Sequence, residues 1–520
     1  MIMTFVLALS PILWLVVSLG FLKMQSFKAC PLALLISFFV ALLYYHMSGI
    51  DAVTAALEGM ALACWPILLV IIAAIFTYNL TLYTKAMDII KHMLMTVSKD
   101  RRVLALLIGW GFGAFMEGMA GFGTAIAIPA SMLAAMGFHP VKAILLCLIA
   151  NSVPTTYGSI GIPASTLANL TGLDPVQLST YISLQLLPLN ILCPFLMVIV
   201  VGNSVKALRG VFLLTLLCGL GLALPELLIS AIAGPELAVM ISSVVIMGLI
   251  VLYSKYRPSN DPTYHMEIHP THVPVKGGLL ACLPFILIFV FLLATSKFVP
   301  FINEPLSSVK TSVLIYSGAG GAPYTFVWLA TPGVLIFLAA FISGYIQKAS
   351  FSEMGFVLLQ TIRGLRNTII TIIAVIATAK VMGYSGMTAD IASTAVAVTG
   401  EQYPFIAPLI GSIGTFITGS GTSSNVLFGN LQTDAAAAIG ANATWLAASN
   451  SAGTCVGKMI SPQSIAIAVG AISLTGKDSE ILKAILKVYV PYILILGSLS
   501  NVGVYALVTA FCSFPFPIIG

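Results

Sequence analysis

The sequence predicts an all-α polytopic membrane protein of twelve transmembrane helices plus two re-entrant hairpins, arranged as two inverted repeats. Three observations carry this. Of 520 residues, 59% are hydrophobic and only 8% charged, against about 25% charged in soluble domains. Two apolar stretches are cut in the middle by glycine-rich motifs, leaving arms too short to cross a bilayer comfortably. The elements around the first motif recur in order about 300 residues later.

The elements follow from apolar runs of about 20 residues. Residues 1–28 hold an N-terminal extra helix at 2–22. It has no basic leader and no small-residue cleavage site, so it reads as a span rather than a signal peptide. A span follows at 29–47. Asp51 to Glu58 is amphipathic and leads into a span at 60–82, and Lys85 to Arg102 reads as a basic surface stretch. The first hairpin is 103–137, broken at Gly113-Ala-Phe-Met-Glu117-Gly118-Met-Ala-Gly121-Phe-Gly123-Thr124. The next segment, 141–172, is interrupted between Asn151 and Pro163 by two prolines and two glycines, which argues for an unwound middle. A span at 179–203 closes repeat 1, residues 29–203.

Residues 204–326 are linker helices, at 211–232, 236–254 and 278–296, with loops at 255–277 and 297–326. Repeat 2, residues 327–513, contains 327–346, an amphipathic 347–364, 365–385, a second hairpin at 403–440, a broken helix at 442–474, and 485–512. At an offset of 301, Gly113, Phe115 and Gly118 meet Gly414, Phe416 and Gly419. At an offset of 299, Asn151, Thr155, Gly158 and Pro163 meet Asn450, Thr454, Gly457 and Pro462. Matched order with matched breaks marks an internal repeat.

Loop charge orients the chain. If a hairpin counts as no crossing, nineteen loop lysines and arginines fall on one side and only Lys297 and Lys310 on the other. Cytoplasmic loops carry such an excess, so twelve crossings with both termini outside are expected. Seven crossings separate the second span from its copy, which inverts the repeats and sends the two hairpins in from opposite faces. The net charge of +6 then belongs to cytoplasmic loops, not to nucleic-acid binding. Eight scattered cysteines, at 30, 64, 147, 193, 218, 282, 455 and 512, form no CxxC and read as small hydrophobes. His265, His269 and His272 share one loop, where a solvated loop is the default over a metal site.

Three ionisable residues are expected deep in the membrane: Glu117, Lys380 and Lys458. Glu226 and Asp434 fall nearer to segment ends, within reach of water. Glu117 and Lys458 are roughly 20 Å from the ends of their segments, too far to snorkel. Two lysines and one carboxylate make a positive site that suits an anion, and a proton on Glu117 would increase that excess. Broken helices point freed N–H groups at the same centre. Gly118, Asn151, Thr155, Thr156, Ser420, Thr422, Ser423, Ser424, Asn425, Asn450 and Thr454 would add neutral contacts for a small carboxylate such as a 2-hydroxy acid. No cofactor or metal is expected.

These motifs resemble the lactate permease family over nearly the whole chain. The resemblance rests on Gly113 to Gly123, Asn151 to Pro163, Thr418-Gly-Ser-Gly-Thr-Ser-Ser-Asn425, and Gly457-Lys-Met-Ile-Ser-Pro-Gln-Ser464. It implies proton-coupled uptake of L-lactate, D-lactate and often glycolate across a bacterial inner membrane. It also implies kinship with the wider ion-transporter superfamily, hence elevator-type motion of the hairpins and broken helices against a dimeric scaffold. Two departures stand out. The family usually has an acid where this chain has Gly421, and a neutral residue where it has Lys380. Lys380 is therefore expected to reach the site and replace part of its charge balance. Alternatives are another organic anion moved by exchange or sodium coupling, a channel, and an intramembrane enzyme. An enzyme would need a nucleophile with a base, or a metal cluster. No histidine is expected deep in the membrane, and Glu117 is the only deep carboxylate expected.

Overall fold

The computed structural model describes residues 2–22, 24–121, 123–259, 261–266, 274–295, 299–472, 474 and 477–504. Lys23, His269, His272, Lys297 and Cys512 lie outside them. The described chain is all-α apart from one strand pair, Lys310–Val313 antiparallel to Tyr324–Val327. By length and composition, nine helices could cross a membrane among the described residues, or ten if Pro140–Asn151 and Pro154–Thr171, bent by 63°, count as one span. The expected twelve differ because the 2–22 and 327–346 helices are short and 442–474 divides into Ala443–Ile460, too polar to count, and the short Pro462–Ala471, whereas Arg101–Met119 is long and apolar enough to count.

Helices begin where a polar side chain precedes an apolar run. Ser48, Asp174, Ser420 and Asn442 each accept a hydrogen bond from a backbone N–H three residues on, and Ser350 forms a capping box with Glu353. Such caps satisfy N–H groups that lack an intrahelical partner. The amphipathic stretches expected before two spans are instead continuous with them. Gly49 to Tyr83 is one kinked element, with non-helical backbone at Trp65 before Pro66, and Phe351–Ser385 is a single 35-residue helix. This carries Glu58 into the protein, where it is buried.

Packing sorts the helices into two groups. Ser26–Leu43, Gly49–Leu62, Leu69–Tyr83, Val275–Ala294, Pro332–Ile346 and Phe351–Ser385 pack on one another. The hairpins and broken helices pack with Pro175–Gly202, Phe212–Ala233, Pro235–Tyr256 and Asp478–Val502. The stretch 204–326 thus divides: its first two helices join the hairpins and its third joins the other group.

Two close approaches hold the second group. Gly453 and Gly457 of Ala443–Ile460 press on the backbone of Pro408 and Ser412 in Tyr403–Thr418, leaving no room for a Cβ at either glycine. Arg102, expected on a surface stretch, is fully buried. It pairs with Asp100 at 2.7 Å, donates to the carbonyls of Ala207 and Arg209, and lies 3.9 Å from the Tyr264 ring. It fastens the first hairpin to the loops on either side of Phe212–Tyr256.

Candidate functional site

The first hairpin stays helical through Met119, so Glu117 occupies the last helical turn rather than the tip. Helix ends at Met119 and resumes at Thr124, and between them Gly121 and Gly123 take φ of 59° and 86°. The first broken helix unwinds more deeply. Pro140–Asn151 ends, Pro154–Tyr157 forms a 3-10 turn, and Ser159, Ile160 and Gly161 are left-handed at φ 47°, 60° and 72°. Two of those three carry a Cβ, a conformation that is strained for L residues. Ser159 Oγ donates to Ala120 O at 2.8 Å and holds the unwound stretch against the hairpin turn. Gly158 is where Glu117 comes in: a Cβ there would lie 2.6 Å from Glu117 Oε1.

The second broken helix differs from expectation. Ala443–Ile460 is regular through Asn450 and Lys458, and the chain breaks only at Ser461, before Pro462–Ala471. A single proline stops the helix here, and the nearby glycines serve helix packing. The second hairpin turns at Gly419, φ 70°, and restarts at Gly421 with Ser420 as cap.

These elements enclose a cavity of about 740 Å³, within the range of small-molecule sites. Glu117, Thr155, Ser420, Thr422, Ser423 and Lys458 line it, as the sequence suggested. So do Gly158, Ser159, Thr418, Gly421 and Gln463, with Gln25, Asn367 and Thr371 from the other helix group. Of these, Ser159, Thr418 and Gln463 lay inside the motifs without being singled out. Gln25, Asn367 and Thr371 carried no signal, because a polar residue just before or at the start of an expected span, here 29–47 and 365–385, looks like a surface residue.

Other expected contacts lie behind the wall. Asn425 Nδ2 donates to Pro163 O at 3.1 Å and Ser451 Oγ at 2.9 Å, and Asn450 joins Asn425 and Gln432 at 3.1 and 3.3 Å. Thr156 meets Ser451 at 2.5 Å, Ser424 donates to Gly411 O, and Thr454 to Ser451 O. All but Thr454, which bonds within its own helix, join neighbouring elements. Gly118 packs toward Val239, and Asn151 is buried beside Glu117 without lining the cavity. Lys380 does not reach the cavity. Its Nζ is 2.8 Å from Glu58 Oε1, which also accepts from Tyr384 OH at 2.9 Å. Nor is Glu117 the only buried carboxylate. Glu58 is 4% exposed, and Glu226, expected near water, is wholly buried and takes a hydrogen bond from Asn190.

The charges at the cavity are sparsely matched. Glu117 is 3% exposed and its Oε2 has no hydrogen-bond partner. Lys458 Nζ donates to Gly419 O at 2.7 Å, leaving two of its three donors for other acceptors. The two are within electrostatic reach but form no ion pair within 4 Å. The N-terminus of Gly421–Ile439 and that of Pro462–Ala471 both face the cavity, and helix N-termini favour anions. The arrangement can hold a small anion beside a carboxyl that has no fixed counter-charge.

Comparison with known proteins places the chain. Residues 4–507 match the profile of the L-lactate permease family. The chain is 46% identical to an L-lactate permease of Streptococcus iniae over 450 residues, covering 86% of this chain and 94% of the relative. It is 33% identical to the L-lactate permease of Bacillus subtilis strain 168, covering 92% of each. It is also 33% identical to the glycolate permease GlcA of Escherichia coli K12, over 96% of this chain and 95% of the relative. Among solved structures it is similar to the Alcanivorax borkumensis YdaH transporter, with a TM-score of 0.47 and 13% identity over 90% of this chain and 87% of the other. It is likewise similar to Neisseria gonorrhoeae MtrF, with a TM-score of 0.48 and 13% identity over 88% and 85%. With a matching family profile over nearly its whole length and nine candidate spans among the described residues, the chain is a multi-pass membrane permease that belongs to the L-lactate permease family.

Proposed function

We propose that this permease moves small monocarboxylates, lactate first and glycolate with it, together with protons across the bacterial inner membrane. The observation that carries the reading is one cavity lined by both Lys458, with donors to spare, and Glu117, with an unpartnered oxygen. The substrate carboxylate is bound by Lys458 and the N-terminus of Gly421–Ile439. Thr155, Thr422 and Ser423 receive its hydroxyl. An ionised Glu117 would oppose it: at about 4 Å and an effective dielectric of about 20, two like charges repel by about 4 kcal/mol. That is about a thousandfold in affinity. A proton on Glu117 removes the penalty, so proton and anion bind together and leave together.

The wider reading is that repeats 29–203 and 327–513 are inverted, that their hairpins are re-entrant, and that twelve crossings leave both termini outside. Hairpins and broken helices move as an elevator against a scaffold that pairs in a homodimer within the lipid. The charge asymmetry of the loops and the two packing groups support it.

Labelled L-lactate uptake into proteoliposomes, with and without an inward proton gradient, tests the function. Wild type accumulates lactate under the gradient and Glu117→Gln does not. A wild type with no gradient-driven accumulation overturns the reading.

A further inference from the structure

Glu226 lies in Phe212–Ala233 with no exposure to solvent. Asn190 Nδ2 donates to its Oε1 at 3.2 Å, and Oε2 has no partner. Among the described residues no cation is within 4 Å of it. A carboxyl so placed is costly in its charged form. Packing alone would be served as well by an amide or an aliphatic side chain.

What surrounds it leads back to the transport site. Ser183 lies beside the carboxyl, and its Oγ is 2.5 Å from Tyr157 OH and 2.8 Å from Ser230 Oγ. Tyr157 OH donates to Ser179 O at 2.7 Å. Tyr157 closes the 3-10 turn of the first broken helix, and the next residue, Gly158, makes room for Glu117. The titratable groups within electrostatic reach of Glu226 are Tyr157 and, on the second broken helix, Cys455, which is also within reach of Glu117. Neither is cationic. Two buried carboxyls thus flank one break in the first broken helix.

We propose that Glu226 is a second proton-holding carboxyl of the transport cycle, a positioning residue that acts through Ser183 and Tyr157 on the break presenting Glu117. The inference rests on the proton-symport reading above. A neutral Glu226 donates its proton to Ser183, and Ser183 in turn donates to Tyr157. An ionised Glu226 accepts from Ser183, which leaves Ser230 as the hydroxyl that can donate to the Tyr157 oxygen, at 3.3 Å. Each protonation state sets a different direction of the hydroxyl chain behind the site.

The test is the pH profile of lactate uptake in proteoliposomes, with infrared difference spectra of protonated carboxyls on lactate addition. Glu226→Gln moves or flattens the profile by about one pH unit and removes one carboxyl band. Tyr157→Phe shifts that band, and Glu226→Asp restores the shape of the profile. A Glu226→Gln protein with the wild-type profile and all carboxyl bands overturns the proposal. If that variant does not fold, an unshifted band in Tyr157→Phe overturns it. Loss of gradient-driven uptake in wild type would instead sink the symport reading. Wild type and Glu117→Gln behaving as expected beside a wild-type-like Glu226→Gln would sink this inference alone.

Discussion

The two broken helices carry the same residue types at the same spacing and use them differently. Thr155 and its match Thr454 both bond back to a carbonyl of their own segment, at Asn151 and Ser451, but only Thr155 lines the cavity. Asn151 has neither amide atom bonded, whereas Asn450 is bonded at both ends. Gly158 makes space for Glu117, whereas Gly457 lets two backbones touch. At these matched positions the first broken helix turns its residues to the site and the second turns them to assembly. The lesson is that a repeat in sequence specifies the path of the chain, while the neighbours of each copy decide the work of its side chains.

The same substitution at matched glycines should separate these roles most sharply. A Cβ at Gly457 runs into the Ser412 carbonyl, which belongs to packed backbone and cannot give way. Gly457→Ala is expected to unfold in detergent at temperatures where wild type gives a monodisperse size-exclusion peak. A Cβ at Gly158 meets the end of a side chain, Glu117 Oε1, at 2.6 Å. Gly158→Ala is expected to fold and to lose lactate uptake by about a hundredfold, since displacing a functional group by about 1 Å has effects of that size. Two equally stable variants would break the comparison.

The two deep lysines extend it. Lys380 is matched by Glu58 at 2.8 Å, with side chains 15% and 5% exposed. Removing one partner of a buried pair costs about 3 to 5 kcal/mol. Lys380→Met should therefore lower stability in denaturant titrations by about that much, and Glu58→Gln with Lys380→Met should recover most of it. Substrate affinity should change little in the double variant. Lys458→Met, which removes donors from the cavity and no ion pair, should show the opposite balance: near-normal stability and weakened lactate binding. A Lys380→Met protein of normal stability and altered pH dependence would return Lys380 to the site.

What could be read in advance follows from the range of each signal. Glu117 and Lys458 announced themselves as charges inside long apolar runs, and the hairpins as glycines inside the same runs. Lys380 was equally visible, but its partner is 322 positions away and only the crossing of two long helices brings them together. Glu226 was misjudged because depth was counted from the segment end, whereas helices packed around Phe212–Ala233 seal it. The second break looked like the first because glycines weaken a helix wherever they occur. That Gly453 and Gly457 instead receive a neighbouring helix is a tertiary fact.

The asparagines give a smaller effect in the same direction. Asn450→Ala would strand the Asn425 Oδ1 acceptor and one Gln432 Nε2 donor inside the protein. A buried polar group left without its partner costs about 1 to 3 kcal/mol, so stability should fall by that order while the cavity lining is untouched. Asn151 faces the Glu117 carboxyl and has no other partner among the described residues, so Asn151→Ala leaves no buried bonded network broken. Its stability should stay within about 1 kcal/mol of wild type, and its effect should appear in the pH dependence of uptake through Glu117. Equal destabilisation by both would show that Asn151 holds the fold as Asn450 does.

The smallest effect belongs to Ser420, where assembly and site meet in one residue. Its Oγ accepts from Ser423 N at 3.2 Å and caps Gly421–Ile439, and the same residue lines the cavity. The returning arm of the first hairpin, Thr124–Ala135, starts from Gly123 with no side-chain cap. Losing a serine cap costs about 1 kcal/mol, so Ser420→Ala should lower stability by that amount. It also frees Ser423 N–H, one more donor at the positive end of a helix that faces the anion. The two consequences oppose each other in binding: a loosened first turn weakens the site, and an added donor strengthens it. A lactate KM close to wild type beside a measurable loss of stability is the expected result. A large rise in KM would mean that the Ser420 hydroxyl itself holds substrate, beside those of Thr422 and Ser423.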